Sequence, residues 1–338
     1  MQPLPPLALT MGEPGGVGPD LTLAVWRDRV RLGVPPFYLL ADPTFIAARA
    51  RDLGLSDRIV AVAPEEVPST FDDALPVVPL QASVSATAGR ADPANATAVV
   101  EAIARGVGDV RSGAAAALVT NPISKQSLYA AGFRHPGHTE FLGTLSAAWT
   151  GRPARPVMML VGPELRAVPV TIHVPLRAVA ELLTEEMIVG TARIVEGDLR
   201  RRFGVAHPRL AVAGLNPHAG EGGALGLEDR TVITPAIAAL RAEGIDVIGP
   251  LSADAMFHPA ARAEYDAAIC MYHDQALIPA KTLAFSETVN VTLGLAFVRT
   301  SPDHGTAFDL AGTGRGDPSS LAAALRLAAV LVSNERSA

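Results

Sequence analysis

The sequence predicts an α/β protein of two lobes, each an α/β/α layering of a mostly parallel sheet, with the active-site cleft between them. Three observations predict it. Short apolar runs alternate with longer segments of three- and four-residue periodicity along most of the chain, which is the pattern of successive βαβ units. The 338 residues suffice for one large domain or two lobes. Polar residues collect just after the apolar runs, where sheets of this class hold their ligands.

In chain order the strands read as LALTM (7–11), FYLLA (37–41), AALVTN (116–121), VMMLVG (157–162), LAVAGLN (210–216), IDVIGPL (245–251) and AAICMY (267–272). Helical periodicity runs through 93–108, 177–203 and 229–243. Two β-rich stretches, LRAVPVTIHVPL and TVNVTLGLAFVRT, lie close to other strands and predict antiparallel additions. No internal repeat or linker-like run interrupts the pattern, so the chain is expected to cross between lobes more than once. The lobes are placed at 1–130 plus 300–338 and at 131–299.

Composition excludes several classes. Hydrophobic residues at 49% and charged residues at 18% are globular. A net charge of -6 argues against a nucleic-acid surface, so an anionic ligand would need a local basic cluster. The single cysteine, Cys270, allows no internal disulfide and no Cys-rich zinc module; it reads as a small buried hydrophobe in a reducing compartment. The N-terminus lacks a signal peptide's basic and apolar regions. The longest apolar run, Leu321 to Val332, is short and carries Arg326, so no membrane span is expected. A soluble, cytoplasmic protein follows.

Six strand ends carry polar groups: GEPGGVGPD (12–20), NPISK (121–125), HVPLR (173–177), LNPHAGEGG (215–223), LSAD (251–254) and HDQ (273–275). Packing alone does not require this, and one shared site does. Three of the ends offer His173, His218 and His273. Neutral imidazoles suit zinc and other divalent ions, and three protein ligands describe a catalytic site. On spacing alone each histidine could equally cap its strand by hydrogen bonding. Asp254 and Asp274 could ligate or orient the ligands. The glycine loop with Gly15, Gly16 and Gly18 is neither a Rossmann fingerprint nor a P-loop. It could hold a phosphate or cofactor through backbone N–H groups, or be a tight turn. No GxSxG elbow is present.

Seven blocks in order, GEPGGVGPDL, NPISK, GHTEFL, HVPLRA, GLNPHAGEGGALGLED, YHDQALIPAK and VNVTLGLAFVRTSPDHGTAFDLAGTG, resemble the 4-hydroxythreonine-4-phosphate dehydrogenase family of pyridoxal phosphate biosynthesis. The match spans about residues 6 to 330. More distantly, GVGPD and DHGTAFDLAGTG are similar to the isocitrate and isopropylmalate dehydrogenases, which implies an isopropylmalate-dehydrogenase-like fold. The family's glycine loop usually reads Pro-Ala-Gly-Ile-Gly-Pro-Glu; here Gly15, Val17 and Asp20 differ, conservatively in size and charge.

The resemblance implies NAD- or NADP-dependent oxidation of 4-phosphooxy-L-threonine to a β-keto acid, which decarboxylates to 3-amino-2-oxopropyl phosphate. It implies one divalent metal per site (zinc, magnesium or cobalt) on His173, His218 and His273, shared across a homodimer. Substrate contacts fall on His138, Thr139, Lys281, Asn290 and Arg299, with positive charge expected from His138, Lys281 and Arg299. Cofactor contacts fall on Gly15, Gly16, Gly18, Asp303, His304 and Asp309. Candidate general bases are Lys125, Asp254 and Lys281. The first lobe is then the cofactor side and the second the metal, substrate and dimerisation side. His173, on the β-rich middle segment, is expected to come from a different subunit than His218 and His273. Relatives within the superfamily oxidise phosphorylated sugar acids such as 4-phospho-threonate or 4-phospho-erythronate, or aromatic cis-dihydrodiols, and these are the alternative substrates.

Overall fold

The computed structural model describes residues 4–135 and 137–337. They form two compact units, one running up to Pro156 and from Leu295 to Ser333, the other from Val157 to Gly294 and from Asn334 onward. Residues 131–156 and 295–299, expected in the second lobe, therefore belong to the first unit. Packing explains the shift, since Trp149 stacks on Phe297 at 5.8 Å between ring centroids.

The first unit begins with β1 (Leu7–Thr10), α1 (Gly18–Arg27), α2 (Arg29–Leu32), β2 (Phe37–Ala41) and α3 (Pro43–Asp52). It continues with β3 (Ile59–Ala61), α4 (Val67–Thr70), β4 (Leu75–Pro79), α5 (Ala96–Ser112), β5 (Leu118–Thr120), α6 (Lys125–Ala130) and α7 (His138–Thr150). The second unit holds β6 (Val157–Val161), β7 (Arg166–Pro169), α8 (Val179–Leu182), α9 (Glu185–Arg201), β8 (Arg209–Ala213) and α10 (Thr234–Ala242). Then come β9 (Asp246–Leu251), α11 (Pro259–Arg262), β10 (Ala267–Cys270), α12 (His273–Ala284) and β11 (Val289–Leu293), before the chain adds β12 (Arg299–Pro302) and α13 (Ser319–Ser337).

Strands of the first unit lie in the order β3-β4-β2-β1-β5-β12 and all run parallel. Every residue of β1, β2 and β5 is buried, as a sheet covered on both faces requires. Full burial of Leu39 and Leu40 stabilises by roughly 1.5–3 kcal/mol each. β4 carries Pro76 and Pro79, which hide it from a strand reading. It tolerates them because Pro76 pairs only with β3 and Pro79 only with β2.

Strands of the second unit lie in the order β11-β6-β7-β10-β8-β9. Here the antiparallel expectation holds in part, in the pairing of both β-rich stretches with β6. The two β-rich stretches supply β7 and β11, yet β7 runs parallel to β10. The reversed strand is β6, antiparallel to both β7 and β11. A tight hairpin causes it: β6 and β7 are joined by only four residues, with Gly162 N–H donating to the Leu165 carbonyl. The long helix α9 starts where Thr184 caps Met187 N–H, with Glu185 and Glu186 in its first turn and Arg200 and Arg201 in its last, which complements the helix dipole. Among the described residues no helix is long and apolar enough to cross a membrane.

Candidate active site

In the first unit the polar groups converge because β1, β5 and β12 are neighbours. Glu13 N–H donates to the Pro122 carbonyl at 2.8 Å, and Asn121 Nδ2 donates to the Thr10 carbonyl and Thr22 Oγ1, both at 3.0 Å. Arg299 is 5% exposed and reaches Thr120 Oγ1 from Nη2 at 2.6 Å and from Nε at 3.2 Å. Burial lowers its guanidinium to about 10, still a cation at neutral pH. His138 opens α7 with Gly137 as its cap, and Thr139 follows. The N-terminus of a helix this long favours an anion.

His138 Nε2 is sealed from solvent and has no hydrogen-bond partner. Burial first, then Arg299 and Lys125, push its pKa well below the usual value. The expected charge on His138 is thus corrected: it is a neutral imidazole at pH 7, a hydrogen-bonding group beside two cations. Lys125 starts α6, with its Nζ 3.5 Å from where a Cβ on Gly137 would stand.

The glycine loop has a packing reason for its composition. A Cβ on Gly15 would lie 1.9 Å from the Arg90 carbonyl oxygen, one on Gly16 2.9 Å from that of Thr306, and one on Gly18 2.8 Å from that of Met11. Its N–H groups are also used: Gly15 to the Glu13 carboxylate, Gly16 to the Glu13 carbonyl and Val17 to the Thr306 carbonyl. The loop braces the 303–314 segment rather than offering a free row of donors. In that segment His304 Nδ1 bonds the Gly305 carbonyl at 2.9 Å and leaves Nε2 shielded without a partner. Asp303 N–H donates to Ser320 Oγ, and Asp309 is exposed. The orphaned His304 nitrogen fits a polar ligand such as a nicotinamide nucleotide.

Glu13 was not singled out by sequence, yet it is 2% exposed. Burial raises its pKa against the bonds it accepts from Gly15 and Ser127.

In the second unit β7, β10 and β8 lie side by side and parallel, so the segments carrying His173, His273 and His218 leave adjacent carboxyl ends. The rings of His173 and His273 stand 5.8 Å apart at 41°, over a pocket of about 290 Å³ that Leu176, Tyr272 and Asp274 also line. His273 Nδ1 meets Asp274 Oδ1 at 2.7 Å. A carboxylate on one ring nitrogen fixes the tautomer and presents Nε2 as a ligand.

His218 is not in this pair. Among the described residues no group of three His, Cys, Asp or Glu side chains gathers closely enough to hold a metal. Within one chain His173 and His273 stand together, because β7 and β10 are directly paired, and His218 stands apart. The donors present fit a metal held by imidazole nitrogen, with part of its shell from elsewhere.

His218 itself is exposed and begins a left-handed run, with φ of 54°, 51°, 78°, 42° and 68° from His218 to Gly222. Three of these residues are not glycine, a conformation costing roughly 1–2 kcal/mol each. Asp254 is exposed, and the Ser252 hydroxyl donating to it holds its carboxyl below the usual range, with a smaller contribution from His218. Lys281 lies on α12 with Nζ 5.9 Å from the Phe285 ring, and Asn290 sits on β11 opposite Leu160.

Sequence pattern also passed over two buried groups here. Gln275 accepts from Met271 N–H at 2.6 Å and donates to the Gly214 carbonyl at 2.8 Å. Asp229 accepts from Leu215 N–H, Asn216 N–H and Asn216 Nδ2 at 2.8, 3.2 and 2.9 Å. Gln275 was visible only as the third residue of HDQ.

A family model described as pyridoxal phosphate biosynthetic protein PdxA matches residues 34–328. A curated 4-hydroxythreonine-4-phosphate dehydrogenase of Methylorubrum populi is 61% identical, over 96% of this chain and 93% of that protein. Among solved structures, a 4-hydroxythreonine-4-phosphate dehydrogenase from Klebsiella pneumoniae superposes with a TM-score of 0.85 at 32% identity, covering 97% of this chain and 99% of that one. A terephthalate 1,2-cis-dihydrodiol dehydrogenase from Burkholderia xenovorans superposes less closely, at 0.63 and 28% identity, over 98% and 99%. These neighbours bear out the isopropylmalate-dehydrogenase-like α/β fold. With matching sequence over nearly its whole length and the same architecture, the chain belongs to the PdxA family of pyridoxal phosphate biosynthetic proteins.

Proposed function

We propose that this chain is a 4-hydroxythreonine-4-phosphate dehydrogenase, an oxidoreductase that oxidises 4-phosphooxy-L-threonine to 2-amino-3-oxo-4-phosphooxybutanoate. The observation that carries the reading is the cationic cluster of Arg299 and Lys125 around the N-terminus of α7, which suits a phosphorylated substrate on a net-acidic chain. A cis-dihydrodiol needs no such cluster, although an enzyme of that kind shares the fold. A phosphorylated sugar acid would use it equally and remains the second reading.

Arg299, oriented by Thr120, holds an anionic group of the substrate through charged hydrogen bonds. His138 and Thr139 add neutral contacts at the helix start, and the family resemblance also gives substrate contacts to Lys281 and Asn290. Asp303, His304 and Asp309 would hold NAD or NADP, which would supply the hydride acceptor for the hydroxyl-bearing carbon. His173, His273 and His218 would hold a divalent ion (zinc, magnesium or cobalt), which would lower the pKa of the substrate hydroxyl and stabilise negative charge on that oxygen. Lys281 is the candidate general base and takes the hydroxyl proton as a neutral amine, after giving a proton to solvent; Lys125, a member of the cationic cluster, does not also accept it. Asp254 suits that role least, because Ser252 keeps its carboxylate weakly basic. The β-keto acid then breaks its bond to the carboxyl carbon, releasing carbon dioxide, and the carbon left behind takes up a proton from solvent to give 3-amino-2-oxopropyl phosphate.

The enzyme works as a homodimer in the cytoplasm, with no nucleic-acid or membrane partner. Each metal site takes the His173–His273 pair from one chain and His218 of the partner subunit. Ile278, exposed on the helix that His273 begins, and Phe285, exposed at its C-cap, are apolar groups that a subunit contact would cover. NAD reduction by the purified protein with 4-phosphooxy-L-threonine, with and without chelator, tests the reading. Turnover that chelator abolishes is expected; faster turnover of a phosphate-free diol would overturn it.

A further inference from the structure

Resting on the reading of His218 as a metal ligand, we propose that Asp229 is the positioning residue that presents it. The left-handed run from His218 to Gly222 is not a shape the chain adopts unaided. Asp229 is buried and grips the entry to that run at three points, the N–H groups of Leu215 and Asn216 and the Asn216 side chain. Asn216 Nδ2 is shared with Glu228 Oε2 at 2.8 Å. The approach is too close for a side chain at Gly214, where a Cβ would lie 2.7 Å from Asp229 Oδ1.

Asp229 also opens a π-helical turn, Asp229–Ile233, a local widening that helices use to aim functional groups. Gln275 pins the preceding carbonyl, Gly214, to the end of β10 next to His273. The carboxylate thus sets the direction in which the imidazole two residues beyond Asn216 leaves the strand. Asp229 touches neither substrate nor metal; it acts through the backbone.

The test is cobalt binding to the intact protein, read by titration and by the visible spectrum of the bound ion, with NAD affinity measured in parallel. Asp229→Asn keeps the volume and gives up the paired acceptors. It should weaken cobalt binding about 10–100-fold and alter the spectrum while NAD affinity stays at the wild-type value. Asn216→Ala removes one of the three bonds and should show a smaller loss in the same direction, which carries the test if Asp229→Asn does not fold. Asp109→Asn disturbs a buried carboxylate bonded to Tyr38 and should lower the melting temperature with cobalt binding intact.

His218→Ala separates the two ideas. If it binds cobalt like wild type, the ligand reading fails. If it loses cobalt while Asp229→Asn and Asn216→Ala keep the wild-type affinity and spectrum, the positioning role alone is overturned. A cobalt loss in Asp109→Asn equal to that in Asp229→Asn would reduce the effect to global stability and also overturn it.

Discussion

In the proposed reading Arg299 holds the substrate's anionic group, and its removal has a directional consequence. Losing a charged hydrogen-bond partner in a dry site costs about 2–5 kcal/mol, so Arg299→Ala should raise the substrate KM far more than the NAD KM in steady-state assays. Equal effects on both would move Arg299 out of the substrate site. Glu13 gives a prediction about pH. Its folded pKa lies above the ordinary 4.5, so the protonated form favours the fold and that stability is lost as pH rises through the folded value. Glu13→Gln is neutral throughout, so its melting temperature should exceed wild type at pH 8 and match it at pH 4. An equal gain at both pH values would mean that ionisation is not the cause. His273 and Arg299 were legible in sequence because they stand beside apolar runs in matching motifs. Thr120, which orients Arg299, was not, since its partner lies 179 residues away and no local spacing encodes that meeting.

Elements were legible where periodicity was clean, as in α5 and β2, and lost where local chemistry argued otherwise. The prolines of β4 masked an interior strand, and the hairpin at Gly162 reversed β6 where apolar character alone implied a parallel run. The glycine loop was legible as a loop, but its purpose was not, because the Arg90 and Thr306 carbonyls that crowd it come from distant segments. Two alanine substitutions separate glycine as packing from glycine as backbone. Gly15→Ala forces a methyl into the Arg90 carbonyl and should cost about 1–3 kcal/mol. Gly108→Ala, at an exposed position of α5 with nothing within 4 Å, should gain about 0.5–1 kcal/mol. Urea midpoints check both, and a loss at Gly108 comparable to that at Gly15 would remove the distinction.

At the scale of the whole molecule, two α/β units with mostly parallel strands were legible from strand and helix alternation. Their boundary was not, because the stacking of Trp149 on Phe297 that draws 131–156 into the first unit leaves no trace in composition. The pairing of His173 with His273 changes what subunit mixing should show. Mixing inactive His173→Ala with inactive His218→Ala should restore about a quarter of wild-type activity, since random exchange makes half the dimers mixed and gives each one intact site of two. Mixing His173→Ala with His273→Ala should restore none, because both belong to the same half-site. Subunit exchange shown by mass spectrometry, followed by recovery in the second mixture, would mean that the pair itself is divided between chains.

Cys270 sits in β10 with no exposed surface, and burial drives its thiol far above the ordinary range. The chain's sole sulfhydryl is therefore a silent alarm, closed to an aqueous thiol reagent until the strand beneath His273 comes apart. Its labelling rate clocks the opening of that half of the protein, without any introduced probe. Cofactor or substrate analogues that slow the clock would be reporting how firmly each one locks the sheet of the second unit.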